Sequence, residues 1–235
     1  MFDFYLKVIK GKSKKSDFIQ IENVRNSLLQ NNYSINSIDY GAGSRILNSN
    51  KSTSVKQIAR SALSTTKYCQ LYARIIQYFN CKQILELGTS LGISTLYFAN
   101  ATQNGKVTTL EGNPEIATLA NHNFENLGIN NINLLIGKFE DQLKNTQILS
   151  QTFDFVFIDG HHKHEPTIQY FKELINLVHS KSIIIIDDIH WSSDMEQAWE
   201  EIQQIQVVTV TIDLFFCGII FIDPNLSKQH FVLKF

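Results

Sequence analysis

From residue 82 onward, short apolar runs alternate with stretches of helical spacing. The runs at 83–87, 106–111, 132–136, 153–158 and 182–187 are rich in Ile, Val, Leu and Phe, as strands buried on both faces are. Helical segments separate them, and two of the three prolines stand where helices should begin. Asn113 and Pro114 read as an N-cap and first helical residue, and Glu165-Pro166 opens a helix running to Val178. Alternation of this kind predicts a doubly wound parallel sheet with right-handed crossovers. After a helix over 193–205 the order changes. Val207 to Ile212 and Phe216 to Ile222 are strand-like runs only three residues apart, too close for a helical crossover. The expectation is an α/β protein whose mostly parallel, seven-stranded sheet ends in an antiparallel pair.

The first 80 residues read differently, as a helical extension ahead of a domain over 81–235. Phe2 to Ile9, Phe18 to Leu29, Ser54 to Arg60 and Thr66 to Phe79 have helical spacing. The basic turn from Lys10 to Lys15 reads as solvated. Asp39 to Arg45 is a glycine-containing loop with no preceding strand, so it does not read as a nucleotide loop. Together these helices and the loop could lid a site.

A net charge of −1 gives no electrostatic case for nucleic acid or an anionic membrane. No apolar run approaches the roughly 20 residues needed to cross a bilayer. Three widely spaced cysteines, Cys69, Cys81 and Cys217, indicate neither a disulfide framework nor a zinc site, and the start of the chain lacks the plan of a signal peptide. A cytoplasmic protein is expected.

Chemistry concentrates where strands end. Residues 84–95 run from an apolar strand through Gly88 and Gly92 into a helix, placing free backbone N–H groups and the helix dipole against a polar ligand. The next strand ends in Glu111, where nucleotide folds put a carboxylate on ribose hydroxyls. Asp159 ends the fourth run, and Asp187 and Asp188 end the fifth. Ligands of doubly wound sheets bind beyond these carboxyl ends, so the three acids should converge on one mouth. There they would repel unless a cation joined them, and oxygen-only ligands suit magnesium, manganese or calcium. Capping of the following helices is the other reading. His161, His162, His164 and His190 crowd the same mouth. A histidine three residues after a metal-binding Asp is placed to act as general base, neutral in its working form, with activity rising through a pKa near 6.5 or lower.

Glu86-Leu87-Gly88-Thr89-Ser90-Leu91-Gly92, followed by Glu111, Asp159 and Asp187-Asp188, resembles class I S-adenosylmethionine-dependent methyltransferases. The branch it resembles is that of the cation-dependent catechol and macrocin O-methyltransferases, over about residues 82–222. The resemblance implies a Rossmann-like methyltransferase fold, with S-adenosylmethionine held by Glu86, Gly88, Thr89, Ser90, Gly92 and Ser94. It further implies Glu111, Gly112 and Asn113 at the ribose, Gly137, Lys138 and Phe139 beside the adenine, and Asp159 at the cofactor. A divalent cation, magnesium by preference, would sit on Asp159, Asp187 and Asp188. His162 occupies the position of that branch's lysine base.

The implied reaction is O-methylation of a small acceptor with adjacent oxygens, a catechol or sugar diol, with Trp191, Phe215 and Phe216 as aromatic walls. No nucleic-acid or membrane partner is implied, and a homodimer is left open. The rival readings are a metal-independent small-molecule methyltransferase, a non-catalytic nucleotide-binding module and an NAD-dependent oxidoreductase. The last is weakened by the missing G-x-G-x-x-G spacing and the lack of a second catalytic domain.

Overall fold

The computed structural model describes residues 2–36 and 52–235; the glycine-containing loop read at 39–45 lies outside them. Helices α1 (Phe2–Phe4, passing into a π-helical turn over Tyr5–Ile9), α2 (Ile19–Leu28), α3 (Val55–Ala62) and α4 (Thr66–Phe79) come first. Strands β1 (Ser34–Asn36) and β2 (Ser52–Ser54) form a small antiparallel pair among them, which the spacing did not announce. Ser54 also starts α3 through a capping box. Its hydroxyl accepts from the Gln57 amide at 3.3 Å, and its own amide donates to Gln57 Oε1 at 3.0 Å.

The remaining elements are β3 (Gln83–Leu87), α5 (Ile93–Ala101), β4 (Lys106–Glu111), α6 (Pro114–Asn126), β5 (Ile132–Ile136), α7 (Phe139–Gln142), α8 (Thr146–Leu149), β6 (Phe153–Ile158), α9 (His164–Leu174), β7 (Val178–Asp187), α10 (Ser193–Gln204), β8 (Val210–Asp213), β9 (Cys217–Phe221) and β10 (Gln229–Val232). The main sheet runs β10-β8-β9-β7-β6-β3-β4-β5. β9 is antiparallel to both its neighbours, and every other pairing in the sheet is parallel. The expected seven strands are therefore joined by an eighth. β10 lies at the sheet edge with its side chains mostly exposed, so it needs no apolar alternation and left no signal in the sequence.

Strand alternation sorts the core into two layers. Ile84, Phe155, Phe157, Ile183 and Ile185 face one side, where they pack with α1 to α5. Leu85, Val156, Ile158, Ile184 and Ile186 face the other, against α9 and α10. This is the period of two written into the central strands. The N-terminal helices belong to the first layer: Phe4 lies edge-on to Phe221 at 5.5 Å, and Phe18 stacks on Tyr97 at 4.4 Å. No helix among the described residues is long and apolar enough to cross a membrane.

Candidate active site

The carboxyl ends of β3, β4, β6 and β7 lie side by side, as their parallel register dictates. Gly88 makes the turn after β3 with φ +103°, and a Cβ there would lie 1.9 Å from the Asp159 carbonyl oxygen. Only glycine lets the two strand ends approach this closely. Gly92, at φ +83°, caps α5, and a Cβ there would meet the Phe124 ring at 2.5 Å. Between them Ser90 adopts φ +48°. Its amide donates to Glu111 Oε2 at 2.9 Å, and the Asn113 amide donates to Glu111 Oε1 at 2.9 Å. The turn and the end of β4 are thereby locked around one carboxyl. Burial raises the pKa of Glu111, against the lowering pull of the Asn113, Ser90 and Gly112 amides.

Glu86 points inward. Ser94 donates to its Oε1 at 2.6 Å, while Thr109, at 2.7 Å, and Thr95 donate to Oε2. The carboxyl is wholly buried at the first turn of α5, and burial pushes its pKa up to about 7 despite three hydroxyl donors. Thr89 is also buried, its hydroxyl 2.6 Å from that of Thr109. Asn113 spends its side chain capping α6, accepting from the Glu115 and Ile116 amides at 2.9 and 3.3 Å. Glu86, Thr89, Ser94 and Asn113 thus brace the turn, while Ser90 and Glu111 face one another across it.

On the other flank Gly137 has φ +148° and donates its amide to the Glu111 carbonyl at 2.9 Å. Lys138 is the N-cap of α7, and Phe139 follows it. Phe139 lies over Gly160, where a Cβ would stand 2.6 Å from its ring, and edge-on to Tyr170 at 5.7 Å. Gly160 is a residue the motifs did not flag; its lack of a side chain admits this ring.

Asp159, Asp187 and Asp188 form one electrostatic group. Burial, then Asp159 and Asp188, raise Asp187 well above the usual carboxylate range. Burial and Asp159 raise Asp188. Yet the expected three-carboxylate cage is not preassembled: among the described residues no three His, Cys, Asp or Glu side chains are grouped to hold a metal ion. The acids turn instead to the donors at hand. Tyr72 donates to Asp187 Oδ1 at 2.9 Å, Ser64 to Oδ2 at 3.4 Å, and His162 Nε2 lies 3.5 Å from Asp159 Oδ1.

Burial lowers the pKa of His162, but its bond to Asp159 and the charges of the three acids prevail and raise it to about 8. Before a cation joins the acids the value thus lies above the ordinary 6.5. Ser90 Oγ and His162 Nδ1 are buried among the described residues with no hydrogen-bond partner. Of the other histidines, His161 Nε2 stands 3.7 Å from Glu140 and His164 Nε2 2.9 Å from Glu201.

His190 Nε2 meets Asp213 Oδ2 at 2.7 Å, and its ring stacks on Phe215 at 5.5 Å. Phe215 and Phe216 are exposed, as is Trp191. The Asp188 amide donates to the Phe216 carbonyl at 2.6 Å, tying this aromatic corner to the end of β7. Asp213 repeats the pattern of an acid ending a strand and was open to discovery on that signal. Tyr72 and Ser64 were not: Tyr72 lies within α4 and Ser64 in the turn between α3 and α4, where nothing local distinguishes them from their neighbours.

A family model described as O-methyltransferase matches residues 38–222, and the chain belongs to that family. It is 34% identical over 128 residues to a catechol O-methyltransferase of Niastella koreensis, covering 52% of this chain and 55% of that protein. A catechol O-methyltransferase of Mycobacterium tuberculosis is 31% identical over 137 residues, covering 57% of this chain and 59% of the relative. The matches thus span little more than half the length of these relatives. The O-methyltransferase from Bacillus cereus in complex with SAH superposes with a TM-score of 0.62 at 20% identity, covering 89% of this chain and 92% of that one. A putative O-methyltransferase from Klebsiella pneumoniae gives 0.64 at 18% identity, covering 94% and 96%. At these identities the likeness speaks for the fold.

Proposed function

We propose that the chain transfers a methyl group from S-adenosylmethionine to a hydroxyl of a small acceptor, with a divalent cation assisting. The observation that carries this reading is the Glu111 carboxyl held between the Ser90 and Asn113 amides. The carboxyl takes the Ser90, Asn113 and Gly112 amides and keeps lone-pair capacity for a ribose hydroxyl. The uncommitted Ser90 hydroxyl and the turn with no Cβ at Gly88 leave a polar cradle beside it. S-adenosylmethionine supplies the electrophilic sulfonium methyl. Phe139 would flank the adenine.

The donor chemistry of the neighbouring mouth fits a hard cation. Asp159, Asp187 and Asp188 present oxygen only, and their mutual repulsion is what a divalent ion would relieve. These three acids would hold such an ion, which would supply the charge that lowers the pKa of an acceptor hydroxyl. His162, with Nε2 turned to Asp159, is the group placed to take the acceptor's proton once its imidazole is neutral. Trp191, Phe215 and Phe216 offer apolar walls for an aromatic acceptor.

Turnover of catechols and sugar diols against their mono-hydroxyl analogues, with and without EDTA, tests the reading. Diol-selective, chelator-sensitive methylation is expected. Equal turnover of both classes, unaffected by EDTA, would transfer the proposal to a metal-independent enzyme.

A further inference from the structure

The basic turn that read as solvated is packed around an arginine. Lys7, Lys12, Ser13, Lys14 and Arg74, with Asp17 as the one carboxylate, line a cavity of about 390 Å³ between the start of the chain and the second half of α4. Arg74 is half-buried. Its Nε donates to the Val8 carbonyl at 2.9 Å and its Nη1 to Ser13 Oγ at 3.1 Å. Nη2 has no partner among the described residues, and burial is the one influence on its pKa, which it lowers. Arg25, the more deeply buried arginine, is by contrast ion-paired with Glu22 at 3.0 Å.

Lys7 is held by Asp3 at 3.1 Å, which leaves Lys12 and Lys14 as exposed charges at the rim. Nor is the turn a loose tail. A Cβ on Gly11 would lie 2.0 Å from the Lys7 carbonyl oxygen and 3.4 Å from Arg74 Cδ. Positive charge is concentrated here in a chain whose net charge is −1.

We propose that this cavity binds a phosphate-class oxyanion, with Arg74 as its fork and Lys12 and Lys14 as flanking charges. A half-desolvated guanidinium with unspent N–H groups is matched by a doubly charged oxyanion with several acceptor oxygens. Ser13 accepts from Arg74 and keeps its own O–H to donate. The cavity shares no lining residue with the strand-end mouth and does not depend on the methyl-transfer reading.

The test titrates the full chain with inorganic phosphate and pyrophosphate, against acetate and chloride at equal ionic strength, reading melting temperature and the phosphorus NMR linewidth. A parallel arm measures sedimentation with phosphatidic acid vesicles and with neutral phosphatidylcholine vesicles. Arg74→Gln removes the fork. Because Arg74 also braces Val8 and Ser13, the exposed pair Lys12→Ala/Lys14→Ala serves as a second variant that leaves those bonds intact. The wild type should respond to phosphate and pyrophosphate and not to acetate, with the apparent Kd weakened about ten-fold or more in each variant. Sedimentation on phosphatidic acid alone, lost in both variants, would keep the site and assign its phosphate to a lipid headgroup. A response no larger than that to chloride together with no vesicle binding, or equal responses in wild type and variants, would overturn the proposal.

Discussion

Tyr72 donates its hydroxyl to Asp187 Oδ1 at 2.9 Å, joining a helix of the N-terminal region to the end of β7 across 115 positions of sequence. The tyrosine is wholly buried, and burial followed by the charge of Asp187 raises its own pKa well above the usual value, so it stays a donor. The helical first part of the chain is therefore part of the acidic mouth.

Replacing Tyr72 by Phe keeps the ring and removes this one donor. Stability at neutral pH should fall by about 1–3 kcal/mol, the cost of leaving a carboxylate oxygen short of a partner. Chemical denaturation of wild type and variant checks it. Coincident unfolding curves would show that the bond carries no net energy.

His162 should set the pH profile. Its pKa is raised to about 8 before a cation joins the acids, so the neutral imidazole accumulates as pH rises; turnover should climb with it, through a midpoint at or below that value because a bound cation opposes protonation. Asp159→Asn removes the largest raising influence and should move the His162 pKa, read by NMR titration of the cation-free protein, down towards the ordinary 6.5. The stability linkage has the same sign: protonated His162 stabilises the fold below 6.5, and that contribution fades as pH passes about 8. His162→Ala should cost roughly 10²–10⁴-fold in rate. A pH profile identical in wild type and His162→Ala would remove the histidine from the reaction.

Glu86 should act on stability rather than on proton transfer. Its folded pKa, about 7, lies above the ordinary 4.5, so the fold prefers it protonated. The resulting stability is fully present below 4.5 and is lost as pH rises through about 7. Glu86→Gln imitates the neutral carboxyl. The variant should lose part of the decline in melting temperature between pH 4 and pH 7.5, a window that brackets the shift. The same slope in both proteins would show that Glu86 stays ionised throughout.

Much of this arrangement was legible because it is periodic or local. The continuous apolar runs at β3, β4, β5 and β6 matched their strands end to end, and the short gap before Phe216 announced the reversal at β9. Strand-end acids were legible for the same reason, since a parallel sheet brings such positions together whatever the loops do. Side-chain direction was not. Glu86 was read at the cofactor, and its carboxyl alternates onto the α5 side of the sheet, where three hydroxyls donate to it. Asp187 looked free for a cation, yet its donors come from Ser64 and Tyr72, more than a hundred residues away. β10 escaped because an exposed edge strand is stabilised by its neighbour's backbone and not by a buried face.

Calorimetric titration of the full chain with S-adenosylhomocysteine, beside NAD and with Glu111→Ala as the partner protein, tests the central claim most directly. One equivalent of S-adenosylhomocysteine should bind and NAD should not. Glu111→Ala, folded as judged by its melting curve, should bind more weakly by about 1–3 kcal/mol, the worth of hydrogen bonds to a charged carboxylate. No S-adenosylhomocysteine heat in the wild type, undiminished affinity in the folded variant, or NAD binding at the same site would each contradict it.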